Sequence, residues 1–272
     1  MRPFNRITRT RYAAVVAAVA MVAPFTPLLA TSSGASGADV ALMRAAIKHA
    51  NAMKHVTITA RSSYNGVKTV FVTESNPTSG KQLVTYDISG VQHHAKLIFI
   101  HGLGYLRGDA EAIAQYLGIS LSQAQLYSEQ WIEFNRQSPN YAFITGGVTT
   151  SSAMSEVPLG GSITTTSLSV VAGVHVTTLR GVAGANSYLP RIRETLSIST
   201  TSPTLPVKET ASGNGITQVL TFTKWGHTTP VTAPIAAWKW ITAPTTTTTT
   251  TTTLPTSTTT TTTTTTSTLP AG

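Results

Sequence analysis

The stretch KLIFIHGLGYLRGDA, residues 96–110, contains the residue types of a hydrolase oxyanion loop. In α/β-hydrolases the loop is accompanied by a G-x-S-x-G nucleophile elbow, an acid and a histidine. Residues 160–164 approach the elbow motif but lack its last glycine, and no aspartate follows Asp109. We therefore assign no catalytic residue and keep an α/β-hydrolase only as a remote alternative. The same letters also fit two short strands joined by a glycine-containing turn, with a helix beginning after Asp109.

Histidines are the other candidates for chemistry, because His93, His94 and His101 lie close together in the sequence. Adjacent residues of a strand point to opposite faces of the sheet, so His93 and His94 cannot both reach one ion without a bulge. No carboxylate partner is evident beside them. The chain also has no cysteine, which excludes disulfides, zinc–thiolate sites and cysteine nucleophiles. We therefore expect surface histidines, no metal site and no cofactor.

The N-terminal segment, residues 1–35, has the layout of an export signal. Four arginines between positions 2 and 11 precede an apolar run over residues 13–30 and then a stretch of small residues. Cleavage is expected after Ala30 or near Ala35. The apolar run also approaches the length of a bilayer span, so an uncleaved membrane anchor is the alternative. In either case the sequence predicts an exported protein, extracellular or associated with the cell envelope.

The charge of the mature chain is modest. The whole sequence has 19 Lys and Arg against 10 acidic residues, and removing the four N-terminal arginines lowers the net charge from +9 to about +5. The remaining cations are scattered, whereas nucleic-acid-binding proteins usually concentrate them on one face. The sequence thus favours a solvated surface and no nucleic-acid partner. A weak attraction to a membrane surface or a cell-wall polymer is compatible with this charge.

The C-terminal tail, residues 245–272, is almost entirely threonine. It has too little apolar surface to offset the entropy of ordering it, so it is predicted to be disordered. Threonine tracts with proline are typical of O-glycosylated stalks. The intervening residues 39–244 are numerous enough to form one domain with its own core.

The first half of this domain predicts one helix followed by consecutive strands. Asp39 can cap a helix over residues 40–54, in which Val40, Met43 and Ile47 share one side. The pattern then alternates, and Asn65-Gly66 between two alternating runs is a strong hairpin signal. Further strands are predicted over residues 81–89 and 93–100. Strands joined by tight turns indicate an antiparallel meander.

The second half predicts helices and then strands again. Asp109 can cap a helix that ends at Gly118, and Ser120 with Gln123 has capping-box spacing. A short strand over 129–134, a helical segment over 141–157 and five strands between 162 and 226 follow. The pair Trp238 and Trp240 alternates across Lys239, which suggests packing at a sheet edge or an interfacial patch.

Two stretches resemble a known family. KLIFIHGLGYLRGDAEAIAQYLG followed by QWIEF, and LPVKETASGNGITQVLTFTKWGHTTPVTAP near the end, resemble actinobacterial envelope lipoproteins of the LppX/LprG type, relatives of the LolA/LolB carriers. The resemblance covers roughly residues 39–244. It implies an α+β fold, in which a curved antiparallel β-sheet, a half-barrel, is closed by a few α-helices over an apolar interior. Family members hold acyl chains there and move or present lipids in the envelope. The lipobox cysteine of many members is missing, so no covalent lipid anchor is expected.

We therefore expect a non-enzymatic, exported protein of the cell envelope that binds or carries a lipid or another hydrophobic ligand. The alternative is a cell-surface structural or adhesion module with a filled core, displayed on a glycosylated threonine-rich stalk. The residues predicted to line the ligand site come from the inward helix side and the strands: Met43, Ile47, Tyr105, Leu117, Phe143 and Phe222.

Overall fold

Twelve strands form one curved sheet in the part of the chain that the structure describes. This computed structural model describes residues 37–155, 157, 159–160, 162–183, 192–213, 215–227 and 229–240, and the backbone of 246–253 and 259–266. The predicted export signal, residues 1–35, lies outside the described residues.

The helices and strands follow one another along the chain in the order that the sequence predicted. The helices are α1 (Gly37–Ala52), α2 (Ala110–Leu117), α3 (Leu121–Gln125), α4 (Tyr141–Thr145) and α5 (Thr150–Met154). The strands of the large sheet are β1 (Val56–Tyr64), β2 (Val67–Ser75), β3 (Gly80–Ile88), β4 (Val91–Ile100), β5 (Leu103–Gly108), β6 (Ile132–Phe134), β7 (Thr164–Val171), β8 (Val174–Ala183), β9 (Ile192–Ser199), β10 (Pro206–Gly213), β11 (Ile216–Thr223) and β12 (Trp238–Lys239).

The strand order places the first strand of the domain in the middle of the sheet. The order is β12-β6-β5-β4-β3-β2-β1-β11-β10-β9-β8-β7, so β1 lies between β2 and β11. All neighbours are antiparallel except β12, which pairs parallel to β6. The sheet is not closed, because β7 and β12 form its two edges. The predicted fold class, an α+β protein with a curved antiparallel sheet and a few helices, is confirmed.

The turns between strands explain the HGLG motif. Asn65 and Gly66 have φ of 48° and 84°, which is the left-handed geometry of a tight hairpin between β1 and β2. His101 and Gly102 have the same geometry, with φ of 53° and 77°, between β4 and β5. The motif is therefore a hairpin turn. The α/β-hydrolase alternative finds no support, because such a fold needs a parallel sheet.

Helix capping also follows the sequence. The Asp109 side chain accepts a hydrogen bond from the Ala112 N–H, and Gly118 ends α2 in the left-handed conformation. Ser120 and Gln123 form the predicted capping box at α3. The helical segment predicted over residues 141–157 is instead divided into α4 and α5, because Gly147, with φ of 67°, breaks it between them.

The threonine-rich tail contains two paired strands. Strand β13 (Thr246–Thr253) and strand β14 (Thr259–Thr266) form a separate antiparallel sheet within the segment predicted to be disordered. The β-branched side chain of threonine favours extended backbone. The predicted disorder of the tail stays a prediction. The role of the tail as a glycosylated stalk stays a prediction.

One face of the large sheet, which we call the inner face, carries the helices and two hydrophobic cores. The first core is built from consecutive segments: Ala60, Val67, Phe71, Val84, Tyr86, Ala95, Leu97, Leu106, Ala112, Ile113, Ala114, Tyr116, Leu117, Ala124, Ile132, Phe134 and Ile144. The second core joins the start of the domain to its end: Met43, Ala46, Ala50, Val56, Ile58, Ala153, Met154, Val157, Leu159, Ile163, Leu179, Leu196, Ile198, Leu205 and Phe222.

The segment around α4 lies directly on the inner face, because two strands present glycine there. A Cβ at Gly104 would lie 2.8 Å from the Thr145 side chain, and one at Gly80 would lie 2.0 Å from the Val148 carbonyl oxygen. Residues with side chains would push this segment off the sheet. At this end of the first core, then, backbone from residues 144–148 fills the inner face.

The tryptophans pack at the edge that the sequence suggested. Strand β12 pairs with the short strand β6, and Trp238 at this edge is 51% exposed. The ring of Trp240 lies 5.6 Å from that of Tyr127 and 6.1 Å from that of Phe134, measured between centroids. Trp240 therefore extends the first core to the sheet edge.

Candidate ligand-binding face

The two cores meet on the inner face of the central strands β1 and β11. Leu220 is half-buried and packs against both cores. Ser62 and Tyr64 on β1, and Ile216 and Gln218 on β11, are also half-buried. They share the inner face with Leu220, because cross-strand partners in a ladder lie on the same face. We call these five residues the seam.

The seam lies between two parts of the inner face, each of which is covered by a helix. Helix α1 packs on β10 and on α5, on the side of the second core. Helix α2 packs on β4 and β5, on the side of the first core. Within the seam, Leu220, Ile216 and the Tyr64 ring combine apolar character with partial exposure. An apolar molecule could reach and bury these groups.

Five of the six residues predicted to line a ligand site belong to one core or the other. Met43 and Phe222 are members of the second core, and Ile47 is half-buried against it. Leu117 is a member of the first core, and Phe143 is half-buried against it. The structure thus separates the predicted set into two groups on the two sides of the seam.

Tyr105 is the exception, because it lies on the opposite face of the sheet. Its neighbour Leu106 belongs to the first core, and successive residues of a strand point to opposite faces. The Tyr105 hydroxyl instead interacts with Glu133 of β6. Burial raises the pKa of Tyr105, and the charge of Glu133 and its hydrogen bond raise that pKa further. We leave Tyr105 out of the candidate site for this reason.

A row of polar residues begins in the seam at Ser62 and crosses the inner face. Ser62 pairs with Thr69 on β2, and Thr69 pairs with Tyr86 on β3. Thr69 and Tyr86 are each only 1% exposed. We call Ser62, Thr69 and Tyr86 the hydroxyl row. Sequence reasoning missed it, although one signal existed: Thr69 occupies an inward position between Val67 and Phe71.

Two glutamates also lie on the inner face, on the side of the second core. Burial raises the pKa of Glu194, and the Gly160 N–H, 3.4 Å from its Oε2, partly offsets this effect. Glu209 is 8% exposed and shares a cross-strand row with Leu220 and Leu196. The inner face is therefore apolar with a few buried polar groups, as in ligand sites that use such groups to orient their ligand.

The far end of the hydroxyl row reaches the N-terminus of α2. The Tyr86 ring stacks on His93 with centroids 5.5 Å apart. Burial raises the pKa of Tyr86, and the nearby charges of Asp109 and Glu111 act in the same direction. The Tyr86 hydroxyl therefore stays protonated at physiological pH and can donate a hydrogen bond.

The paired histidines have carboxylate partners that the sequence did not reveal. Nδ1 of His93 lies 3.4 Å from one oxygen of Asp109, and the His94 backbone N–H donates to the other oxygen at 2.8 Å. Nε2 of His94 lies 2.8 Å from Glu129, which also accepts a hydrogen bond from Arg107. The expectation that carboxylates are missing was wrong, because the β4–β5 hairpin brings Asp109 back beside the histidines. Within the described ranges no group of His, Asp and Glu has the arrangement of a metal site.

Comparison with known proteins gives structural neighbours only. No family model matches the chain, and no curated protein matches its sequence. Its structural neighbours include LppX and LprF. The Mycobacterium tuberculosis lipoprotein LppX is 13% identical with a TM-score of 0.48, and the match covers 73% of this chain and 100% of LppX. LprF from Mycobacterium bovis is 12% identical with a TM-score of 0.46, and the match covers 75% of this chain and 100% of LprF.

A third neighbour, a DUF1329 family protein from Desulfovibrio piger, is more distant, with 8% identity and a TM-score of 0.29 over 74% of this chain and 96% of that one. The predicted resemblance to the LppX/LprG type is confirmed by the first two neighbours, LppX and LprF. None of the five described helices combines the length and hydrophobicity that a membrane span requires.

Proposed function

We propose that the chain is an exported, non-enzymatic protein of the cell envelope that binds a lipid or a similar hydrophobic ligand on the inner face of its sheet. The observation that carries the proposal is the seam, where apolar side chains of the two central strands stay partly exposed between two packed cores. A solid module would bury such central positions as completely as Leu196 or Ile132, which are 0% exposed.

The site would extend from the seam toward both cores. On the first-core side Leu117 and Phe143 would contact the ligand, and on the second-core side Met43, Ile47 and Phe222 would do so. Each methylene group that leaves water on binding contributes about 0.8 kcal/mol. An acyl chain laid across Leu220 and Ile216 would gain this energy without any covalent bond. The tail and the export signal would place the domain outside the cytoplasm.

The proposal is tested with the full chain produced in its native host. Native mass spectrometry and solvent extraction should detect a co-purifying apolar molecule, and added fatty acid or phospholipid should raise the melting temperature of delipidated protein. Protein that is isolated empty and shows no thermal shift with either lipid would contradict the proposal. That outcome would favour a structural module with a filled core.

A matched pair of variants locates the site. Leu220→Asp places a charge in the seam, whereas Val219→Asp places the same charge on the neighbouring residue, which is 36% exposed and points to the other face. Leu220→Asp should abolish co-purification of the ligand, and Val219→Asp should retain it. Retention of the ligand in both variants would place the site elsewhere.

A further inference from the structure

The hydroxyl row has buried donors and acceptors without partners. Ser62 Oγ, Thr69 Oγ1 and the Tyr86 hydroxyl are inaccessible to solvent and make no hydrogen bond to any residue that the structure describes. Buried polar groups in proteins are almost always hydrogen-bonded, since an unpaired one loses its interaction with water and gains nothing. Three such groups in adjacent positions of three strands require an explanation.

The second inner-face row beyond the hydroxyl row, on the same strands, shows that the fold can satisfy such groups. Thr73 on β2 and Gln82 on β3 are cross-strand partners, like Thr69 and Tyr86. There the Gln82 Nε2 donates to Thr73 Oγ1 at 2.8 Å. Single unpaired groups such as Ser75 Oγ occur elsewhere, but the hydroxyl row places three of them on three neighbouring strands.

Helix α2 carries a further unpaired group. Both amide atoms of Gln115 are buried without a hydrogen bond to the described residues. Gln115 lies one helical turn after Glu111, on the same side of α2, and the charge of Glu111 reaches the Tyr86 hydroxyl. The hydroxyl row thus leads from the half-buried Ser62 in the seam to the buried Tyr86 beneath α2.

We infer that Ser62, Thr69 and Tyr86 form a subsite that binds the polar group of the ligand, and that this group is an uncharged oxygen function such as a hydroxyl or a carbonyl. The inference rests on the proposed function and assigns one end of the ligand to the hydroxyl row. Tyrosine and threonine hydroxyls can donate to such an oxygen, and the serine and threonine oxygens can also accept from a hydroxyl.

The charges around the row disfavour an ionised group. Asp109 and Glu111 act on Tyr86 from α2, and Glu194 lies farther along the same cross-strand row, beyond Gln218. The lysines and arginines of β1 to β4 all occupy the alternate positions, on the outer face: Arg61, Lys68, Lys81 and Lys96. His93 is the basic residue beside the row on the inner face, and it already lies against Asp109. A carboxylate or phosphate brought to the row would meet like charge without a lysine or arginine partner.

Three probes of equal chain length test this selectivity in delipidated full-length protein: dodecanol, dodecanoate and dodecane. Their affinities are measured at pH 7.4 by displacement of an environment-sensitive apolar dye. Dodecanol should bind about tenfold more tightly than either of the others, because only it can pair with the hydroxyl row without bringing charge. Binding of all three with equal affinity, or preference for dodecanoate, would overturn the inference and leave the proposed function intact. Failure of all three to displace the dye would contradict the proposed function itself.

Variants that remove only hydroxyls separate ligand binding from structure. Thr69→Val and Tyr86→Phe keep the shape of the side chains, so the empty protein should be as stable as the wild type or more stable. Dodecanol affinity should fall about tenfold in the double variant, while dodecane affinity should not change.

The control is Thr73→Val, which breaks the hydrogen bond between Thr73 and Gln82. This variant should lower stability and leave dodecanol affinity unchanged. Destabilisation of the double variant with unchanged dodecanol affinity would show that the hydroxyls are paired through water, and would overturn the inference.

Discussion

The two cores share one face of one sheet but are assembled from the chain in different ways. Every residue of the first core lies between Ala60 and Ile144, in segments that follow one another. The second core takes residues from before and after that range, from Met43 to Ile58 and from Ala153 to Phe222. Its contacts are correspondingly long-range: the Leu159 N–H lies 3.3 Å from the Met43 sulfur, 116 residues away.

The two cores should form at different stages of folding. A core of consecutive hairpins and helices closes short loops, whereas the second core must close a loop that contains the whole first core. We expect the first core to form early and the second core to dock α1 and β1 against the later strands. The seam is the junction of the two, which explains why it is less completely packed than either.

The largest change in stability is expected from leucine-to-alanine substitutions that remove the same side-chain volume from each core. Leu106 in the first core and Leu196 in the second are both 0% exposed. Leu106→Ala and Leu196→Ala should each lower the free energy of unfolding by about 2–5 kcal/mol, measured by urea denaturation. The kinetics should differ: Leu106→Ala should mainly slow folding and Leu196→Ala should mainly accelerate unfolding. Equal partition between the two rates in both variants would contradict the order of assembly.

The sequence predicted those parts of the fold that depend on neighbouring residues. The hairpin at Asn65 and the cap at Asp109 were predicted because a turn or a helix end is determined within a few residues. The position of β11 beside β1 was not, because their register joins segments that are more than 150 residues apart.

The candidate site was predicted less well, for reasons that individual residues make clear. Strand β5 is buried at four of its six positions, so alternation could not show that Tyr105 points away from the first core. Ser62, Thr69 and Tyr86 each belong to a different strand. Only the pairing of three strands brings them together, and no single segment contains that information.

A second difference between the cores appears at alkaline pH. Tyr86 and Tyr116 belong to the first core, and burial raises the pKa of both, whereas the described members of the second core include no tyrosine. Because the folded state holds these protons more tightly than the unfolded chain, their contribution is complete below the unfolded pKa of about 10 and is lost as pH rises above it. Stability should then fall by about 1.4 kcal/mol per pH unit for each tyrosine.

Urea denaturation between pH 9 and pH 12 measures this slope. Hydrogen exchange over the same range should show α2 losing protection before α1, because Tyr116 belongs to α2 and Tyr86 lies in the core that α2 covers. Tyr86→Phe should reduce the slope by the share of one tyrosine. A slope that does not change in this variant would show that another group governs the alkaline transition.

The smallest effect is expected on the side of the second core, where stability also falls as pH rises, but in the acidic to neutral range. Burial raises the pKa of Glu194, so the folded state favours its protonated form. The stabilisation from this proton is complete below the unfolded pKa and is lost as pH rises through the folded one, which leaves a buried charge at neutral pH. Glu194→Gln removes that charge and keeps an oxygen for the Gly160 N–H, 3.4 Å away. At pH 7 the variant should be more stable than the wild type by less than about 1 kcal/mol, a gain that should vanish at pH 4.

The control is Glu74→Gln, which breaks an ion pair with Lys81 and should slightly lower stability at pH 7. A loss of stability in Glu194→Gln at pH 7 would mean that a cation compensates the carboxylate, and would remove the electrostatic contrast between the two cores.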